Sequence, residues 1–135
     1  GLNRLGLENV AQSAIEPDEM LPAIAQGAIG IEWREEDKQI TDILQKIHHT
    51  ETEQRLNIER AFLAELDGSC QTPIAGLAVI EGSSLKFTGQ VLRTDGSESI
   101  SETAHCNIED GPDLGREMAR NILAKAGPNF FDWKD

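Results

Sequence analysis

Cysteine occurs twice in this 135-residue chain, and the two thiols stand in different surroundings. Cys70 lies in "LDGSCQTPIAG", residues 66–76, with Gly68 and Ser69 before it and Pro73 and Ile74 after it. A run with helical spacing ends just ahead of it, so the thiol belongs to a connection where its sulfur can meet another molecule. The end of a helix, with its free carbonyls, disfavours thiolate, the reverse of the N-terminal position that activates turnover nucleophiles. No histidine is near in sequence, and a Cys–His pair would need His48, His49 or His105 to approach in space. Such a thiol suits a single addition to an electrophile that is already reactive. Placement alone leaves a plain loop cysteine as the other reading.

Cys106 follows His105, and His48 adjoins His49, which raises a metal-site reading. Successive helical residues point about 100° apart, so His48 and His49 chelate poorly and no metal site is expected. Two predicted strands separate the cysteines, which is no disulfide framework, and two free thiols in a reducing cytoplasm are the preferred reading. Arg4, in "GLNRLG", reads by itself as a solvated helix arginine. Gln26 and Gly27, in "AIAQGAIG", read by themselves as a turn before a strand.

With 24 acidic residues against 12 Lys and Arg, the formal charge is -12, which repels phosphate backbones and anionic lipid. Nucleic acid is therefore not an expected partner. The apolar content of 39% fits a soluble globular protein. No apolar run approaches the ~18 residues of a membrane span, so a membrane is not expected either. The opening "GLNRLGLENV" has no initiator Met and no apolar leader, and reads as the later part of a longer chain.

The elements that must position these residues change character near residue 50. "LNRLGLENV" is a short helix-like piece, and "SAIEPDEMLP" is interrupted by two prolines. "AIAQGAIGIEW" reads as a buried strand entered through a glycine turn, although it needs neighbours that the chain does not obviously supply. From Glu36 to His48, Ile40, Ile43, Leu44 and Ile47 mark one face of an amphipathic helix. Thr50 and Glu53 form a capping-box pattern that starts a second helix, with Leu56, Ile58, Phe62, Leu63 and Leu66 on its buried side. Gly68 is placed to end that helix in a left-handed conformation.

Beyond Cys70 the period becomes that of strands. "PIAGLAVI", "LKFTGQVLR" and "SISETAHCNI" are separated by the turn signals "EGSS" and "TDGSE". Pro112, Leu114, Met118 and Ile122 describe a last helix that ends at Gly127-Pro128, and the aromatics of "NFFDWKD" are expected to pack back on the sheet. Residues 50–135 thus predict an α+β unit, a three-stranded antiparallel sheet covered by helices. Residues 1–49 read as pieces of α/β units whose other strands lie upstream.

Residues 59–75, "ERAFLAELDGSCQTPIA", resemble the cofactor-attachment signature of the porphobilinogen deaminases, also called hydroxymethylbilane synthases. The likeness runs through Glu59-Arg60, Phe62 and Leu66, Gly68-Ser69-Cys70 and Thr72-Pro73-Ile74-Ala75, and extends to "LPAIAQGAIGIEWR" and "HHTETEQRLNIER" upstream. It implies residues 1–21 as the end of a second α/β domain resembling periplasmic binding proteins. Residues 22–49 would be the return segment of the first such domain with a hinge, and 50–135 the α+β cofactor-attachment domain.

The resemblance also implies a reaction. Four porphobilinogen molecules are joined with loss of ammonia on a dipyrromethane cofactor, which Cys70 would hold through a thioether, with Gly68 and Ser69 among the cofactor-binding residues. Loss of ammonia creates an azafulvene electrophile, which even a weakly activated thiol can attack. Arg4 would pair with a carboxylate of the cofactor or growing chain, and Gln26 and Gly27 would line a loop near the cleft. The family's catalytic aspartate and most of its cleft arginines belong to an N-terminal half that this chain does not include. That half is the implied partner, and porphobilinogen the implied substrate. A non-catalytic α+β binding or interaction module is the second reading.

Overall fold

The computed structural model describes residues 2–10, 13–68, 72–127 and 130–131. Ahead of residue 50 it contains α1 (Leu2–Leu5), a 3-10 turn at Glu8–Val10 and α2 (Lys38–Leu44). There follow α3 (Thr50–Glu65), β1 (Ile74–Glu81), β2 (Ser84–Leu92), β3 (Ser99–Asn107) and α4 (Gly111–Ala126). The strands form one antiparallel sheet in the order β1-β2-β3, with unbroken register from Ile74↔Val91 to Glu81↔Ser84 and from Ser84↔Asn107 to Leu92↔Ser99. The expected α+β unit is present.

Period-two alternation sets the sheet's inner face. Leu85, Phe87, Gly89 and Val91 are buried under the helices, while Lys86, Thr88 and Gln90 alternate with them on the other side. Against this face α3 sets Ile58, Phe62 and Leu66, and α4 sets Met118, Ala119 and Ile122. The Phe62 and Phe87 rings meet edge to face, 5.2 Å between centroids and 71° apart, a favoured aromatic geometry. Phe130, beyond α4, is also fully buried in this core, so that part of the aromatic tail packs back as expected.

Where α3 crosses α4 the backbones nearly touch. A Cβ built on Gly115 would lie 2.6 Å from the Ile58 carbonyl oxygen and 3.2 Å from the Phe62 nitrogen. Gly115→Ala must therefore push the helices apart. Overpacking costs about 1–3 kcal/mol, and the helix propensity of alanine returns up to about 1 kcal/mol. A net loss of about 1–2 kcal/mol is expected in chemical denaturation; unchanged stability would mean that the helices can separate freely.

Four local expectations are corrected. The strand expected over residues 23–33 does not form; only an isolated antiparallel bridge joins Ala23 to Ala75. Ile29 is 93% exposed, and Ile31 and Trp33 are exposed too, because among the described residues no strand lies beside them. The helix expected from Glu36 to His48 is α2 alone, started by the Asp37 carboxylate accepting from the Ile40 N–H at 3.1 Å. Its apolar residues Ile40 and Ile43 remain exposed, so nothing within the described chain holds a longer helix in place.

The capping box also differs. α3 is capped by His49, whose Nδ1 accepts from the Thr52 N–H at 3.2 Å, so Thr50 is already helical. Glu53 instead meets His48 Nε2 at 3.2 Å. At the other end of α3 the left-handed residue is Asp67, φ 55°, and not Gly68. Glycine is the usual occupant of that conformation, which is why the sequence pattern pointed to Gly68, but Asp tolerates it better than most residues.

Candidate functional site

The end of α3 fixes how the chain approaches Cys70. The Asp67 N–H donates to the Ala64 carbonyl at 3.1 Å and the Gly68 N–H to the Leu63 carbonyl at 3.0 Å, the paired bonds of a Schellman closure. Gly68 lies close against neighbouring side-chain ends. A Cβ there would lie 2.5 Å from Ile74 Cδ1, 2.6 Å from Leu63 Cδ1 and 3.2 Å from Thr72 Oγ1. Gly68 and the Thr72–Ile74 segment are therefore packed together. The Leu92 N–H donates to the Pro73 carbonyl at 3.0 Å, tying that segment to β2. The candidates Ser69 and Cys70 lie outside the described residues.

A second group of contacts ties an earlier segment to the same unit. The Gly76 N–H donates to the Pro22 carbonyl at 3.0 Å beside the Ala23–Ala75 bridge, and Ile24 packs against the core. The chain then turns through Ala25, φ 60°, and Gly27, φ 81°. Gln26 and Gly27 are exposed at the turn, and a Cβ on Gly27 would meet nothing within 4 Å. The turn is as expected; the strand after it is not.

Glu59 joins the two groups, and sequence reasoning did not single it out as a site residue. It is the one charged residue among the buried side chains described, 6% exposed. Its Oε2 accepts from the Ala25 N–H at 2.8 Å and its Oε1 from the Ala78 N–H at 2.9 Å. Burial pushes its carboxyl up from the ordinary glutamate value, partly offset by those two hydrogen bonds and by the charge of Arg55. A signal was available. Glu59 is three residues before Phe62 and four before Leu63, so helical geometry places a carboxylate within the apolar side of α3.

The remaining candidates fall elsewhere. Arg4 is exposed on α1, and no hydrogen bond or ion pair joins it to the other site residues among those described. Cys106 is a free, half-buried thiol opposite Leu85 in the β2–β3 register. Burial and the neighbouring Asp110 carboxylate push its thiol up, which makes it a poorer nucleophile. Among the described residues no group of three or more His, Cys, Asp or Glu could hold a metal ion. No helix among them is long and apolar enough to cross a membrane.

Known proteins match along nearly the whole chain. Residues 54–124 match the family model "Porphobilinogen deaminase, C-terminal domain", and residues 1–42 match "Porphobilinogen deaminase, dipyromethane cofactor binding domain". A porphobilinogen deaminase of Paracoccus denitrificans is 49% identical over 133 residues, 98% of this chain and 42% of the relative. One of Nitrobacter hamburgensis is 44% identical over 131 residues, 97% of this chain and 42% of the relative. The chain thus spans about two fifths of the length of these relatives. The antiparallel sheet with α3 and α4 packed on it, and a match of this extent, place the chain in the porphobilinogen deaminase family.

Proposed function

We propose that this chain is the cofactor-anchoring C-terminal portion of a cytoplasmic hydroxymethylbilane synthase of tetrapyrrole biosynthesis, with Cys70 as the anchor. The observation that carries the reading is that Gly68 and Thr72, the described residues on either side of Cys70, are packed together at the end of α3, with Pro73 tied to β2. The alternative thiol, Cys106, is half-buried and made less acidic by its surroundings. The residues present therefore fit a covalently held group at position 70.

The dipyrromethane, when bound, supplies the primer on which four porphobilinogen units are joined head to tail with loss of ammonia. The role of the chain's own residues is simpler. The Cys70 sulfur would add to the exocyclic carbon of the azafulvene left by loss of ammonia, its proton passing to the ring nitrogen that receives the displaced electron pair, and a thioether resists hydrolysis, so the anchor would outlast each round. Gly68 and Ser69 are assigned to the cofactor beside Cys70, and Gln26 and Gly27 to the cleft nearby. In this reading residues 1–21 complete a second α/β domain, 22–49 return to the first and act as hinge, and 50–135 form the anchoring domain. Ile29, Ile31, Trp33, Leu44 and Ile47, which line an open groove with α3, would be covered by the N-terminal half of the same enzyme.

Arg4 is assigned to a carboxylate of the cofactor or growing chain. Loss of one charge-assisted bidentate contact costs on the order of 1.5–3 kcal/mol, roughly ten- to a hundredfold in the affected step. Arg4→Ala in the longer protein should slow elongation by that factor, and unchanged elongation kinetics would return Arg4 to the solvent. The proposed function itself is tested with porphobilinogen. The longer protein is expected to release hydroxymethylbilane, and the 135-residue chain alone to release none. Bilane from this chain alone, or none from the longer protein, would contradict it.

A further inference from the structure

We propose that Glu59 is a positioning residue, a clamp whose buried carboxylate fixes the Pro22–Gly27 turn against β1 and thereby sets Gln26 and Gly27 relative to Gly68 and Thr72, the described residues on either side of Cys70. The inference about Gln26, Gly27 and Cys70 rests on the proposed function; the clamp itself rests on geometry. One oxygen accepts from Ala25 and the other from Ala78, so a single side chain bridges two segments 53 positions apart (78 − 25). Alanine rarely adopts a positive φ such as the 60° at Ala25, and such a conformation persists only where its surroundings over-determine it.

The Ala25 N–H bond to Glu59 is one such constraint. The Gly76–Pro22 hydrogen bond and the fit of Ile24 against the Gly76 backbone are the others. A Cβ on Gly76 would lie 2.7 Å from Ile24 Cδ1, so the turn is seated on β1 without slack. Glu59 also lies on the helix that precedes Cys70 in the chain, and β1 is the strand that follows it. A displacement of the turn is therefore one relative to both Gly68 and Thr72.

A carboxylate is suited to this task in a way that its amide is not. Both carboxylate oxygens accept, and the site offers two N–H donors. Glutamine has one acceptor oxygen, and its NH2 group would face the second donor, leaving one buried N–H unpaired. The volume is conserved. Glu59→Gln thus removes the clamp while leaving the packing of Ile58 and Phe62 in place.

Amide hydrogen exchange on the 135-residue chain tests the clamp without porphobilinogen or cofactor. In Glu59→Gln the Ala25 or the Ala78 amide is expected to exchange at least about tenfold faster, with amides of β2 and α4 unchanged. No acceleration at either position, or an equal acceleration at all amides, would overturn it. Should the variant fail to fold, the unmutated chain suffices. The Ala25 and Ala78 amide proton shifts should follow one shared titration, above the ordinary glutamate range, and separate titrations would overturn the clamp.

In the longer protein, Glu59→Gln should lower kcat by about tenfold or more while the mass of any adduct on Cys70 is unchanged. Unaltered kcat would remove the positioning role and leave a structural carboxylate. Accelerated exchange at Ala25 or Ala78 together with absence of any adduct would instead sink the proposed function and leave the clamp standing.

Discussion

Cys70→Ser in the longer protein is expected to abolish attachment of the pyrrole cofactor and, with it, bilane formation, while the α+β unit unfolds as before. The reason lies in the atom exchanged. A thiol ionises near pH 8.5, and its thiolate is an intrinsically strong nucleophile, whereas a hydroxyl without an adjacent general base is weak. None of the three histidines is available nearby by sequence, and His49 is already committed to the α3 cap. Serine has nearly the size of cysteine, so the substitution should change unfolding by less than about 0.5 kcal/mol. Intact mass, bilane assay and chemical denaturation check the three parts separately. Normal activity in the variant would remove Cys70 from the mechanism, and a large loss of stability would show that the thiol is part of the core.

The second large effect is on the fold that presents this loop. Phe62→Ala is expected to destabilise the chain by about 3–5 kcal/mol, the usual cost of emptying a buried phenylalanine site. Phe62 is fully buried, meets Phe87 edge to face, and lies against Gly89, where a Cβ would come within 2.7 Å of its Cζ. The Gly89 position has no side chain to move into the cavity, so relaxation is limited. Since small domains are stable by about 5–15 kcal/mol, such a loss takes much of the total. The denaturation midpoint should fall with an unchanged slope. A loss below about 1 kcal/mol would show that the core collapses around the vacancy.

The sequence made residues 50–127 readable because each level agrees there. Apolar spacing on α3 and α4, alternation along β2 and the two turn signals all describe one sheet with helices on one face, and the observed register keeps that alternation without a break. Residues 23–47 were misread for a physical reason. Ile29, Ile31, Trp33, Ile40 and Ile43 carry the pattern of buried elements, but a strand forms only beside another strand and a short helix persists only against a partner. Composition records the need for a neighbour and not its presence.

The site was legible in part. "GSC" after a helix marks Cys70 as a candidate from sequence, and the close packing of Gly68 against Ile74 is a contact that only the fold brings about. Glu59 escaped notice as a site residue because its partners are backbone N–H groups at Ala25 and Ala78, which leave no mark on residue type. Likewise Asp67 took the left-handed position that a glycine one residue later would have filled by preference.

Peptide mass mapping of the purified longer protein tests the assignment of Cys70 most directly. The peptide containing Cys70 is expected to carry the mass of two pyrrole units through a thioether, and the peptide containing Cys106 to carry none. An active protein with an unmodified Cys70, or with its adduct on Cys106, would contradict it.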